Sequence, residues 1–345
     1  MKTKGLIIAL FAMLVTSTTF AQTTQTGVLE ERIAKLEESN SKWSKIVEKL
    51  PTISGYTFIR YQYNDAASQT NTFDIRRARL SLSGKPAKWF EYKIQLEFAN
   101  SPKIMDAYAK FKIDPMFNVQ VGQMKIPFSI ENPLSPTSLE FIDNAKFIGA
   151  YLPTGGRDIG LQVSGGFFPQ EKSGKDLIEY TVAVMNGNEI NKKDDNTAKD
   201  FSGNLKFNIC KNLMLQYSLY EGKMGEIHHD ANNHKSMHGA GAWYNGDKFN
   251  VRSEYYHVDF QGTKGQSCYA QVAYNIKSKV YPAFRFDYID HDLDLHNNSE
   301  FDYSVGINYV PAKFVGLQVN YTCKTFGDPS KHTVNNIAAQ CFFKF

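Results

Sequence analysis

The feature that most constrains this chain is a series of sixteen segments, beginning at Ile53, in which apolar and polar residues alternate. They fall at 53–63, 72–84, 89–99, 103–113, 117–124, 157–168, 178–186, 200–210, 213–221, 237–244, 248–258, 265–276, 279–290, 301–310, 315–325 and 334–345. Successive side chains of a strand point to opposite faces, so each segment carries one greasy face and one polar face. An even number of such strands, about ten residues each, suits a closed barrel crossing a bilayer. Downstream of residue 21 no stretch approaches the roughly 18 apolar residues of a membrane-spanning helix. The pattern predicts an all-β fold over residues 52–345, a 16-stranded antiparallel transmembrane β-barrel.

The connections and faces carry the same expectation. With the first strand rising from the periplasm, the turns after even-numbered strands are mostly short: KPAK, DPM, KN, NGD, KS and PAK. Those after odd-numbered strands include the long 125–156, GNEINKKDDNTAK, GKMGEIHHDANNHKS and HDLDLHNNSE. Short periplasmic turns and longer external loops are barrel anatomy. Two connections depart from it, a long 169–177 and a short external NSP. Tyr303, Val305, Ile307 and Tyr309 place tyrosines at both ends of an aliphatic band, as interfacial girdles do. The last strand alternates Ile337, Ala339, Cys341, Phe343 and Phe345, and a terminal Phe of this kind is similar to the signature read by outer-membrane assembly machinery.

The N-terminus bears on location. Lys2 and Lys4 precede GLIIALFAMLV, and Thr19 and Ala21 form a small-x-small cleavage site, the pattern of a secretory signal peptide over residues 1–21. The expected place of the mature chain is therefore the outer membrane of a Gram-negative cell, in contact with its lipid. Residues 22–51 are read as a periplasmic coiled-coil segment, because Leu29, Ile33, Leu36, Asn40, Trp43, Val47 and Leu50 follow heptad spacing. Pro51 ends that helix. Three heptads need a second interface to hold together, and the expected assembly is a homotrimer.

A formal charge of +4, falling to +2 once the two signal-peptide lysines are removed, gives no bulk argument for nucleic-acid binding. Cys210, Cys268, Cys323 and Cys341 are scattered and match no zinc or disulfide spacing. Histidines at 228, 229, 234, 238, 291 and 296 fall in the expected external loops, but their spacing matches no defined metal site. No nucleophile elbow, Walker or dinucleotide motif occurs in its required context. No metal, cofactor or catalytic residue is therefore expected.

What the inner face carries is more specific. In FDIRRARLSLSG, Phe73 to Gly84, the alternation sends Ala78, Leu80 and Leu82 to lipid and Arg77, Arg79, Ser81 and Ser83 to the lumen. A charge on the lipid side would cost about 2–4 kcal/mol at midplane, which fixes the register. The same parity places Arg60, Lys93, Lys110, Lys112, Lys206, Arg252, Arg285, Lys324 and Lys344 inside, against the acids Glu97, Asp106, Asp158, Glu254 and Asp287. A water-filled lumen so biased concentrates anions. Arg77 and Arg79 stand about 6.6–6.8 Å apart along one face, and guanidinium suits oxyanions by bidentate bonding. The alternative is that these cations pair with lumenal acids and only hold the wall, leaving a general or differently selective channel.

The connection 125–156 is long enough to be functional. Its apolar residues, Leu139, Phe141, Ile142, Phe147 and Ile148, suit a loop folded inward to narrow the pore. Lys125, Lys146 and Arg157 lie in or beside it.

The stretch FDIRRARLSLSGKPAKWFEYKIQLEFANSPKIMDAYAKFKIDPMFNVQVGQMKIPFSIEN, followed by RDIGLQVSG, resembles the phosphate-selective porin O and P family. The likeness is dense over about residues 53–168. It implies a trimeric 16-stranded porin that passes phosphate or similar small anions along lumenal arginines and lysines. Arg77 and Arg79 fall on the basic strand of that motif, and Lys110 and Lys125 on the adjoining strands. The chain departs from the family in being short and in keeping several lumenal acids.

Overall fold

The computed structural model describes residues 32, 35–37, 39, 50–66, 68–223, 234–276 and 279–345. The signal peptide, most of the heptad segment and the histidines at 228 and 229 lie outside the described residues. The described positions from Arg32 to Ser39 are helical and exposed. Contacts divide the chain into two units, Met1–Leu50 and Pro51–Phe345.

The second unit is a closed barrel in which each strand pairs antiparallel with its neighbours in sequence. The strands are β1 (Thr52–Asn64), β2 (Thr70–Ala87), β3 (Phe90–Glu97), β4 (Lys103–Asp114), β5 (Phe117–Lys125), β6 (Arg157–Gln170), β7 (Lys175–Met185) and β8 (Asp200–Cys210). There follow β9 (Leu213–Lys223), β10 (His234–Asn245), β11 (Phe249–Phe260), β12 (Thr263–Tyr274), β13 (Val280–Asp290), β14 (Glu300–Ala312), β15 (Val315–Phe326) and β16 (Val334–Lys344). Every alternating segment of the sequence is one of these strands. Strands β1 and β16 close the ring, with Tyr56 opposite Lys344. Gly55 and Phe345 extend the seam by two backbone hydrogen bonds of 3.0 and 3.1 Å.

Strand ends differ from the sequence reading where pairing outlasts alternation. Strands β6 and β7 run on to Gln170 and back from Lys175, because Gln170 pairs with Lys175 across the turn. The expected long connection 169–177 is thus an ordinary short turn. At the other end of the barrel β11 and β12 are joined by only Gln261 and Gly262, both at positive φ.

The outer face is apolar along its strands: Tyr303, Val305, Ile307 and Tyr309 of β14 are 44–50% exposed. The buried core sits inside the ring. Residues 126–156, here the inner loop, fold into the lumen and carry two 3-10 turns, Pro136–Ser138 and Thr154–Gly156, and a short helix, Lys146–Tyr151. Phe128 and Phe147 pack with Tyr220, Met237, Tyr256 and Tyr269 of the wall in one buried cluster. Phe147 lies flat on Tyr256 with ring centroids 3.6 Å apart.

Polar groups finish the docking. The Glu254 carboxylate accepts from Ile130 N (2.7 Å), Ser129 Oγ (3.0 Å) and Tyr269 Oη (2.6 Å). Lys146 Nζ reaches Glu300 at 2.8 Å and Asp302 at 2.7 Å. Asn320 Oδ1 accepts from Ile142 N, and Gln318 Nε2 donates to Leu139 O. The partners come from β11, β12, β14 and β15, so the inner loop packs against that side of the lumen, beside a cavity of about 400 Å³ lined by Asn250, Tyr281, Asn308 and Gln318.

Candidate functional site

The lumen beside β2 to β8 stays open as two cavities that share Lys125, Pro136 and Arg157 in their walls. The cavity toward the long-loop end has about 570 Å³ and is lined by Arg76, Arg77, Arg79 and Lys146 among others. The one toward the short-turn end has about 330 Å³ and is lined by Lys93, Tyr108, Gln120 and Lys206. The two meet between Pro136 of the inner loop and the basic side chains of Lys125 and Arg157.

Each sequence-derived cation has a definite surrounding. Arg60 holds Asp74 by two bonds, of 3.0 and 2.6 Å. Arg79 donates to Glu97 at 2.7 Å and to the Tyr56 hydroxyl at 2.9 Å. Lys93 pairs with Asp106 at 2.7 Å, Lys112 with Glu91 at 2.5 Å, and Lys324 with Glu300 at 2.9 Å. Arg252 and Arg285 also point inward, but the inner loop covers them. Arg252 is 1% exposed and bound to Glu131 and Glu140 of that loop. Arg285 pairs with Asp287 and donates to the backbone oxygens of Asp143 and Asn144.

Lys344, opposite Tyr56 at the seam, has no carboxylate within 4.0 Å among the described residues. The remaining four share that lack. Arg77, Lys110 and Lys206 have no carboxylate within 4.0 Å among the described residues. Arg77 lies over the Phe58 ring at 5.6 Å and leaves its Nη1 buried without a partner. Lys206 is paired in register with Glu179, without an ion pair between them. Lys125 donates to the backbone oxygens of Asn132 (2.8 Å) and Leu134 (2.5 Å), which hold no full charge.

Parity fails at two places that carry basic residues. Phe58 pairs with Arg77 but Ile59 pairs with Ile75, so Arg76 is the extra residue of a β-bulge. The bulge brings Arg76 to the inner loop, where it forms an ion pair with Asp143. Further along, Lys125 pairs with Arg157 across β5 and β6, on the parity that Val121 and Leu161 use to face lipid. Beyond Gly122 (φ +126°) that alternation no longer holds, and both side chains line the cavities. Arg157 then binds Asp106 at 2.6 Å.

Residues 54–209 match the family described as phosphate-selective porin O and P. Over that span the chain is similar to that family. Known structures share the fold at low identity, each aligning over 86% of this chain. The outer-membrane channel DcaP of Acinetobacter baumannii is 13% identical, with TM-score 0.64 and 97% of its own chain covered. An anion-selective porin from Comamonas acidovorans is 10% identical, with TM-score 0.66 and 99% covered. OmpT of Vibrio cholerae, described in a trimer form, is 9% identical, with TM-score 0.61 and 100% covered. No curated protein matches the chain. The match and the shared barrel support an outer-membrane channel protein of the porin type.

Two corrections to the lumenal charge count follow. Sequence parity missed basic residues of the porin: Arg76 through its bulge, and Lys235, which sits below the expected start of β10 and binds Asp200 at 2.8 Å. It also missed most of the acids, since Asp74, Glu91, Asp200, Glu300 and Asp302 stand near strand ends and Glu131, Glu140 and Asp143 come from the inner loop. The expected excess of cations is therefore largely neutralised in pairs. One signal for Arg76 was available: three arginines in RRAR cannot all obey a period of two without one facing lipid.

Proposed function

We propose that this porin forms a water-filled, anion-preferring diffusion channel for small, phosphate-like anions. The observation that carries the reading is positional. Four cations without carboxylate partners, Arg77, Lys110, Lys125 and Lys206, belong to the side that the inner loop leaves open. Against them on that side, Glu179 is a carboxylate without an ion pair, and Asp158 is buried, accepting from the backbone of Ile159 and Gly187. Unpaired positive charge beside water raises the local concentration of anions and repels cations. The anion-selective porin among the fold neighbours agrees with this reading at the level of architecture.

A general porin is the second reading, favoured by the pairing of Arg60, Arg79, Lys93, Lys112 and Lys324. Reversal potential across a planar bilayer under a KCl gradient separates the two. Anion preference, reduced by Arg77→Ala and by added phosphate, supports the first. A current without preference in both proteins would reject it in favour of the second.

The heptads and the trimer form of one fold neighbour support a homotrimer with its N-terminal segment in the periplasm. The C-terminal Phe345 on the seam supports recognition by the assembly machinery.

A further inference from the structure

We propose that Asp143 sets the selectivity of the pore by cancelling Arg76 where the inner loop meets the open wall. The proposal rests on the reading of the barrel as an ion channel, but not on which sign the channel prefers.

Asp143 is held from two sides. Its backbone oxygen accepts from Arg285 Nη1 of β13 at 3.0 Å. Its carboxylate pairs with Arg76 of β2. One residue thus ties the inner loop to two strands that stand five places apart around the ring. Half of its side-chain surface (52%) remains open, and Asp143 lines the larger cavity. Crowding alone would push this carboxyl up. The charge and hydrogen bond of Arg76, with the charges of Arg60 and Arg285, outweigh that and leave it below its ordinary value, so it is ionised.

The neighbours of Arg76 give the pair its effect. Arg76, Arg77 and Arg79 line the same 570 Å³ cavity. Glu97 neutralises Arg79, and Asp143 neutralises Arg76, which leaves Arg77 alone uncompensated. Loss of the Asp143 charge leaves two adjacent guanidinium groups facing the cavity. The bulge is what makes this possible, because a regular strand would turn Arg76 to lipid. Asp143 lies outside every alternating segment, so no strand pattern marks it.

The test is the ratio of chloride to potassium permeability of the full porin in bilayers of neutral lipid. Asp143→Asn is expected to raise that ratio about sevenfold, the square of the Boltzmann factor of ~2.7 for one unit charge met ~7 Å away in water, because chloride and potassium respond with opposite sign. Arg76→Gln is expected to lower it by a similar factor, and the double variant to lie close to the parent. Asp143→Glu keeps the charge and is expected to keep the parent ratio. If Asp143→Asn and Arg76→Gln shift the ratio in the same direction, or Asp143→Glu behaves as Asp143→Asn, the pair acts only as a mechanical tie and the proposal fails. A parent channel that prefers potassium would reject the anion reading alone, since the opposed shifts of the two variants would still stand.

Discussion

At the scale of the residue, Arg77 and Arg252 differ by what the inner loop does to each. Arg77 and Arg252 are equivalent by parity, yet one borders open space and the other is sealed beneath Glu131 and Glu140. Parity reports the face of a strand and nothing about what later folds against it, so the sequence could not separate them. Arg252→Ala leaves two carboxylates of the loop without their cation in a closed space. Breaking a buried pair from one side costs about 3–5 kcal/mol. Thermal unfolding of the detergent-solubilised barrel, with limited proteolysis of residues 126–156, is expected to show a released loop. Wild-type protection in both assays would mean that the apolar cluster alone holds it. Gly122 is a second case. A Cβ there would stand 2.1 Å from Ala107 O, at a φ of +126° that side chains rarely adopt. Gly122→Ala is expected to cost at least about 1–3 kcal/mol and to lower the yield of folded barrel. An unchanged yield and melting temperature would show that the strand relaxes around it.

At the scale of the element, strands were read well and the inner loop only in outline. Strand identity depends on a local period of two, which every segment from Ile53 to Phe345 displays. The apolar residues of 125–156 indicated an inward fold, but their partners lie more than a hundred residues away, as Phe147 on Tyr256 shows. The ion pairs of Lys146 with Glu300 and Asp302 are of the same distant kind. Phe147→Ala removes a ring that is 1% exposed and stacked on both Phe128 and Tyr256. Truncations of that kind cost about 3–5 kcal/mol. Here the loss falls on docking of the loop, because the strands keep their ladder hydrogen bonds. The expected signature is a noisier current with more open time at high conductance, from an otherwise intact barrel. A quiet channel of wild-type conductance would show that the loop is held by its polar contacts alone.

At the scale of the whole molecule, a chain of nearly balanced charge segregates it radially. Apolar side chains go outward, and acids and bases meet inside, most of them in pairs. The total charge says nothing of this, and the count of inward residues overstates it. What remains for permeating ions is a few unpaired cations on one side of a wide lumen, whose field is open to screening. The Debye length is about 30 Å at 0.01 M salt and about 3 Å at 1 M. At low salt the fields of Arg77, Lys110, Lys125 and Lys206 overlap across the open passage, whereas at high salt each acts only on ions in contact. Anion preference is therefore expected to be strong in dilute KCl and to fade as both baths approach 1 M. A discrete site that binds the anion by direct hydrogen bonds would keep its preference at contact range, with saturating current instead. Reversal potentials at a fixed concentration ratio, taken from 0.01 M to 1 M, distinguish the two. Selectivity that survives at 1 M would move the explanation from the summed field of the wall to direct ligation by Arg77 and its neighbours.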